Sequence, residues 1–184
     1  TGNESVVLYN GTSVVIDSLG YINTWGVGTG GFSLEKINPA GATNQQSNWG
    51  TSIDPLKATP GRQNSITPKQ NDLILKSFVI TPALPNVGDS LKLDFVIKNA
   101  GLQTASSYTL NIYKDVNFDS AASPSELLTS QPFIITLNQN DSVLYKYGIG
   151  NIDSGKKQYI GIVVYAPDED TLNNKLVRSV TVGG

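Results

Sequence analysis

Asp115, Asn117, Asp119 and Glu126 stand at positions 1, 3, 5 and 12 of a twelve-residue loop. That is the spacing at which a calcium loop presents its ligands, because a hard cation takes carboxylate and amide oxygens. Two features cut across it: position 6 is Ser120 where the sharp turn favours glycine, and both flanks have the pattern of strands. The alternative is a polar hairpin tip, in which Asp and Asn side chains bond their own backbone. A second candidate site is aromatic. Tyr21, Trp25 and Trp49 could form a platform on which a sugar ring stacks, although a lone Trp inside a polar loop more often pins that loop to a core. Asp168, Glu169 and Asp170 form an acidic cluster that reads as a solvated turn. Nothing in its spacing predicts the facing carboxylates, about 5–10 Å apart, that glycoside hydrolysis needs.

Composition removes much other chemistry. The 184 residues contain no His and no Cys, which takes away the usual zinc ligands and the nucleophile–histidine arrangements. Catalysis would have to rest on carboxylate, Lys, Tyr or Ser groups. There is no Met either, so the expectation is a processed product or an excised segment. A net charge of −2 gives no basic footprint for nucleic acid. No apolar run approaches the roughly 20 residues that span a bilayer. Hydrophobic content of 39% with only 15% charged residues is enough for a packed core. Gly26–Gly31 is glycine-rich, but no Gly-Lys-Ser/Thr follows it and the next residues alternate like a strand. It is a loop and not a phosphate cradle.

The elements that would carry these residues are strands. Asn10-Gly11 between two β-branched runs predicts a hairpin with a type I′ turn. Residues 32–37 alternate as a strand that Asn38-Pro39 ends. Residues 58–72 hold two prolines, a glycine and almost nothing apolar, so no central strand runs through them. They mark the seam of a division into residues 1–66, a linker over 67–71, and residues 72–184. Beyond the seam, strands are expected over 73–80, 91–97, 108–112, 126–129, 133–137, 143–149, 159–165 and 176–182. Leu91, Leu93, Phe95 and Ile97 share one face. Short, regularly spaced strands without a helix predict an all-β, immunoglobulin-like β-sandwich preceded by a smaller β segment.

Two resemblances add to this. Val6-Val7-Leu8-Tyr9, Val15-Ile16-Asp17-Ser18, Ser33-Leu34-Glu35-Lys36, Asn48-Trp49-Gly50 and Thr59-Pro60-Gly61-Arg62-Gln63-Asn64 resemble the C-terminal part of a bacterial lamin-tail domain. The family's opening strands have no counterpart. That implies a partial immunoglobulin-like sheet in residues 1–66, which packs on the second domain or borrows strands from another chain. The edge near residues 5–9 would then form a dimer or other pairing, and Glu35 would pair with Arg62. Residues 87–101, then 108–115 and the turn 168–175, resemble CARDB-like immunoglobulin-like adhesion modules. Both resemblances imply a non-catalytic adhesion or spacer module of a secreted or cell-surface bacterial protein, with a protein or cell-surface glycan as partner. The alternatives are a carbohydrate-binding module using Tyr21, Trp25 and Trp49, and an accessory region of a larger secreted hydrolase.

Overall fold

The computed structural model describes residues 3–22, 24–26 and 30–183. The chain divides into two compact units, Thr1–Pro68 and Lys69–Gly184. Among the described residues no helix is long and apolar enough to cross a membrane.

The first unit is built from two separate two-stranded sheets. β1 (Asn3–Tyr9) pairs antiparallel with β2 (Val15–Ile22), and β3 (Leu34–Lys36) pairs with β4 (Trp49–Thr51). The expected hairpin is present, but its turn is not the tight one that Asn-Gly suggests. Asn10 Oδ1 accepts from the amides of Thr12 and Val14, and the left-handed residue is Ser13, at φ 62°. An asparagine that caps several amides stabilises a longer loop, and that outweighs the type I′ preference here. The strand expected over 32–37 shrinks to three residues. Of Gly26–Gly31, residues 27–29 lie outside the described set.

The interior of this unit is polar. Its buried described residues are Glu35, Ser52 and Thr59. Glu35 is 4% exposed, and its carboxylate gathers three close donors, with the Ser33 hydroxyl a fourth at 3.5 Å. Thr59 Oγ1 reaches Oε1 at 2.6 Å, while the Ser65 amide and hydroxyl each reach Oε2 at 2.7 Å. Arg62 does not pair with Glu35. It bonds Asp54 at 3.1 Å instead, because the tight turn carrying Thr59 and Ser65 already surrounds Glu35 with neutral donors. Burial pushes Glu35 up, but the hydroxyls of Thr59, Ser65 and Ser52 and the Ser65 amide win, and its pKa falls to about 2.

The second unit has seven described strands in two sheets. One sheet is β5 (Leu73–Thr81), β6 (Leu91–Asn99) and β9 (Ser142–Ile149); the other runs β11 (Lys175–Val182), β10 (Gly155–Val164), β7 (Tyr108–Lys114) and β8 (Leu127–Phe133). All neighbours are antiparallel. Alternation in β6 turns Leu91, Leu93, Phe95 and Ile97 into the core, where all four are wholly buried. Leu110, Ile112 and Tyr159 meet them from the other sheet, and Phe95 stacks on Phe78 with centroids 4.3 Å apart. Gly161 passes over this pair so closely that a Cβ there would lie 2.6 Å from the Phe95 ring.

Two expected strands, 126–129 and 133–137, are one. β8 runs through Gln131-Pro132, since it is an edge strand and proline there removes no ladder bond. Residues 134–136 leave the sheet, with Ile134 91% exposed, and buried Leu137 forms a separate bridge with Ala105. The expected linker 67–71 is divided as well. Leu102 and Gln103 amides bond the carbonyls of Lys69 and Gln70, which ties those residues into the second unit. A polar clasp joins the start of this unit to its last turn. Asp168 accepts from the Leu73 amide and Glu169 from the Asn71 amide, both at 3.0 Å, and Asn173 donates to Asp72 at 3.0 Å.

Candidate functional site

The loop over residues 115–126 links β7 to β8, and the fold fixes it from both ends. Asp115 is 1% exposed. Its Oδ2 accepts from the Ser120 amide at 2.8 Å and from Gln158 Nε2 at 2.7 Å. The Phe118 and Asp119 amides face the same carboxylate, and Oδ1 closes no hydrogen bond. Burial pushes Asp115 up, but the Gln158 amide and these loop amides hold its carboxyl below the usual aspartate value. Phe118 and Ser120 both adopt left-handed backbone, at φ 60° and 61°. Ser120 therefore takes the conformation for which a glycine was wanted.

The other three residues of the spacing turn to the loop's own backbone. Asn117 Oδ1 accepts from the Asp119 amide and Asp119 Oδ1 from the Ala121 amide. Glu126 bonds the Val116 amide with one oxygen. With the other it meets the Ser123 amide and hydroxyl, closing a capping box on a single turn of 3-10 helix. Lys175 donates to the Ser120 carbonyl and Lys156 lies 5.0 Å above the Phe118 ring, so two cations border the loop. Among the described residues, no three His, Cys, Asp or Glu side chains group as a metal site. Gln158, which orders Asp115, had no signal in the sequence: 43 positions separate the two.

The aromatic residues come together in the first unit. Tyr21 and Trp49 line one groove of about 580 Å³, Tyr21 and Trp25 line two smaller recesses, and Trp25 and Trp49 share a second groove of about 680 Å³. All three rings are half-buried. Trp49 is also an anchor, as its indole N–H donates to the Thr43 carbonyl at 2.6 Å. Tyr21 Oη donates to Glu4 at 2.6 Å, and that hydrogen bond and charge raise the phenol above its usual value. Asp17 stands in the groove of Tyr21 and Trp49 and accepts from Thr43 Oγ1 at 3.0 Å. The ring pairs in contact among the described residues, such as Phe78–Phe95 and Tyr108–Phe133, belong to the second unit.

The acidic turn 168–170 is structural. Asp168, Glu169 and Asp170 all accept backbone amides. Burial raises Asp72 above its usual value despite the Asn173 bond, and the charges of Asp168 and Asp170 add to that.

No protein-family model matches the chain, and no curated protein sequence matches it. Solved structures do. The CARDB domain of a Pyrococcus furiosus protein, crystallised in complex with di-metal ions, is similar over 64% of this chain and 97% of that one, at 15% identity and a TM-score of 0.51. A solution structure of that domain aligns over 62% and 97%, at 14% identity and a TM-score of 0.49. A Listeria innocua β-glucosidase bound to glucose aligns over 62% of this chain and 16% of its own, at 17% identity and a TM-score of 0.44. The share of this chain that aligns is about that of the second unit. At such identities the likeness is one of fold alone: the chain is all-β, with the immunoglobulin-like architecture of the Pyrococcus CARDB domain.

Proposed function

We propose that the chain is a non-catalytic attachment and spacing module of a secreted or cell-surface bacterial protein. The observation that carries this is the use made of its carboxylates. Glu35, Asp115, Glu126 and Asp168, the acidic groups best placed for chemistry, each hold backbone amides or neutral side chains of their own unit. A general acid or base must instead reach a substrate proton. The closed sandwich of the second unit suits a stiff spacer, and its CARDB-like fold supports that use. The partner is a protein or a cell-surface glycan. As an accessory region of a larger secreted hydrolase, the chain would serve the same end by holding the catalytic part near its substrate.

The test joins the chain to a fluorescent reporter and measures retention on bacterial cells and on cell-wall material, beside a panel of chromogenic glycosides and esters. Saturable retention without turnover is the expected result. Turnover lost on mutating a carboxylate would overturn it.

A second reading, carbohydrate binding, is favoured by the way Tyr21, Trp25 and Trp49 surround adjoining recesses with Asp17 at the rim. Aromatic faces take the apolar side of a sugar, and a carboxylate accepts from its hydroxyls. Glycan screening with Trp25→Ala and Trp49→Ala separates the readings: saturable sugar binding lost in both variants supports this one, and no binding removes it.

A further inference from the structure

The first unit exposes the kind of surface that the second unit buries. Val6 and Leu8 are 60% and 57% exposed, although they lie on one face of the hairpin with Leu19 and Tyr21 across the strand pair. That face forms one wall of the 580 Å³ groove, and Phe32, Leu34 and Trp49 form the other. Among the described residues no apolar side chain of this unit is buried. A layer gap lined by aliphatic and aromatic groups on both sides is a core that lacks its filling, and such a surface marks an interaction site.

The backbone adds direction. Among the described residues β1 is hydrogen-bonded to β2 alone, so alternate N–H and C=O groups along its other edge have no strand partner there. An edge of this kind is a template for an added strand. A strand laid there would send every second side chain into the groove, since strand side chains alternate faces.

Charge selects the occupant. Residues 3–22 contain Glu4 and Asp17 and no Lys or Arg. Lys36 and Lys57, on the far side, hold Pro39, Thr43 and Gly30. A second copy would bring one acidic hairpin against another, whereas a strand with basic residues meets complementary charge. We propose that the open edge of β1 and the groove beneath it accept, by strand addition, an extended apolar segment of another protein that carries Lys or Arg beside its apolar run. This deepens the attachment reading by naming the partner class, and it rests on that reading only for a protein partner.

The experiment uses the full chain and three synthetic nine-residue peptides. One alternates Val and Thr between terminal lysines, one has the lysines replaced by glutamates, and one keeps the lysines but has proline at alternate positions. Tryptophan fluorescence follows binding, and amide exchange at residues 5–9 follows strand addition. The lysine peptide should saturate and protect those amides. The glutamate peptide should bind at least about tenfold more weakly, and the proline peptide should not bind. Leu8→Asp should weaken the lysine peptide at least about tenfold, whereas Leu172→Asp, an exposed site in the second unit, should not. Equal binding of all three peptides, no binding by the folded chain, or a dimer whose β1 amides are already protected would each overturn the inference. Retention on cells that survives Leu8→Asp would also sink it, and would leave the attachment reading standing.

Discussion

The two units of this chain solve opposite problems with the same secondary structure. The second closes seven strands over an interior of Leu, Ile, Phe and Tyr, and its polar groups work at the margins as clasps and caps. The first puts a carboxylate at its centre and leaves its aliphatic residues near the surface. A domain organised by hydrophobic burial is held by a non-directional force that grows with area. A unit organised by Glu35 is held by a few directional bonds, each of which can be removed separately. The strand pattern is alike in both, so the difference lies in whether a second layer covers the apolar face.

Both tryptophans, Trp25 and Trp49, lie in the first unit, while Tyr108, Tyr113, Tyr145, Tyr147, Tyr159 and Tyr165 lie in the second. Tryptophan fluorescence therefore reports the first unit alone, and tyrosine near-ultraviolet dichroism, with only Tyr9 and Tyr21 in the first unit, reports chiefly the second. The largest expected effect is Phe95→Ala, which should cost the tyrosine transition about 3–5 kcal/mol in urea and leave the tryptophan transition in place. Movement of both signals together would break the comparison. Glu35→Ala should act the other way. It strips the buried Thr59 hydroxyl and the Ser65 amide and hydroxyl of their acceptor, and should lower the tryptophan transition by about 3 kcal/mol. A change of a few tenths would show that the polar centre is not what holds the first unit.

Acid sharpens the contrast. Glu35 has a folded value of about 2 against its ordinary 4.5, so its contribution is complete above pH 4.5 and is lost as pH falls toward 2. In the second unit Asp115 is lowered and Asp72 is raised. The contribution of Asp115 therefore fades below its ordinary 3.8. That of Asp72 is fully present below 3.8 and is lost as pH rises through its folded value, so the two oppose each other. A pH series of urea midpoints should show the tryptophan transition falling first, and the reverse order would refute this account. The smallest expected effect is that of calcium. The oxygens at 117, 119 and 126 already hold backbone amides, so neither calcium nor chelator should move the tyrosine midpoint. A rise approaching about 2.7 kcal/mol at a hundredfold excess over Kd, abolished by Asp119→Ala, would place a metal in the loop.

What the sequence disclosed follows the same divide. Alternation in β6 is a local pattern with one solution, and Leu91, Leu93, Phe95 and Ile97 are the residues found inside. Proline misled where topology decides. Gln131-Pro132 suggests a break, yet the residue sits in an edge strand, and edge position is not written in a single segment. The Asn10-Gly11 pair placed a hairpin but not its turn, because one asparagine oxygen can gather amides two and four residues ahead. The oxygen spacing of residues 115–126 was plain, while the partner that orders it, Gln158, comes from β10. Likewise, Glu35 looked like half of an ion pair until the Thr59–Ser65 turn supplied neutral donors.

The clasp between residues 71–73 and 168–174 has a consequence for how the second unit is made. Its bonds join positions 95 to 101 residues apart, and contacts of such separation form late. During synthesis β5 is the first strand of this unit to leave the ribosome, and it can pair with β6 well before the turn after β10 emerges. For that interval its inner face, Leu73, Leu75 and Phe78, stays uncovered on the side that β10 and β11 will later close. A nascent chain halted before residue 168 has neither the clasp nor β11, and should therefore leave β5 and β6 open to proteases and chaperones; release of the last turn and strand should lock them.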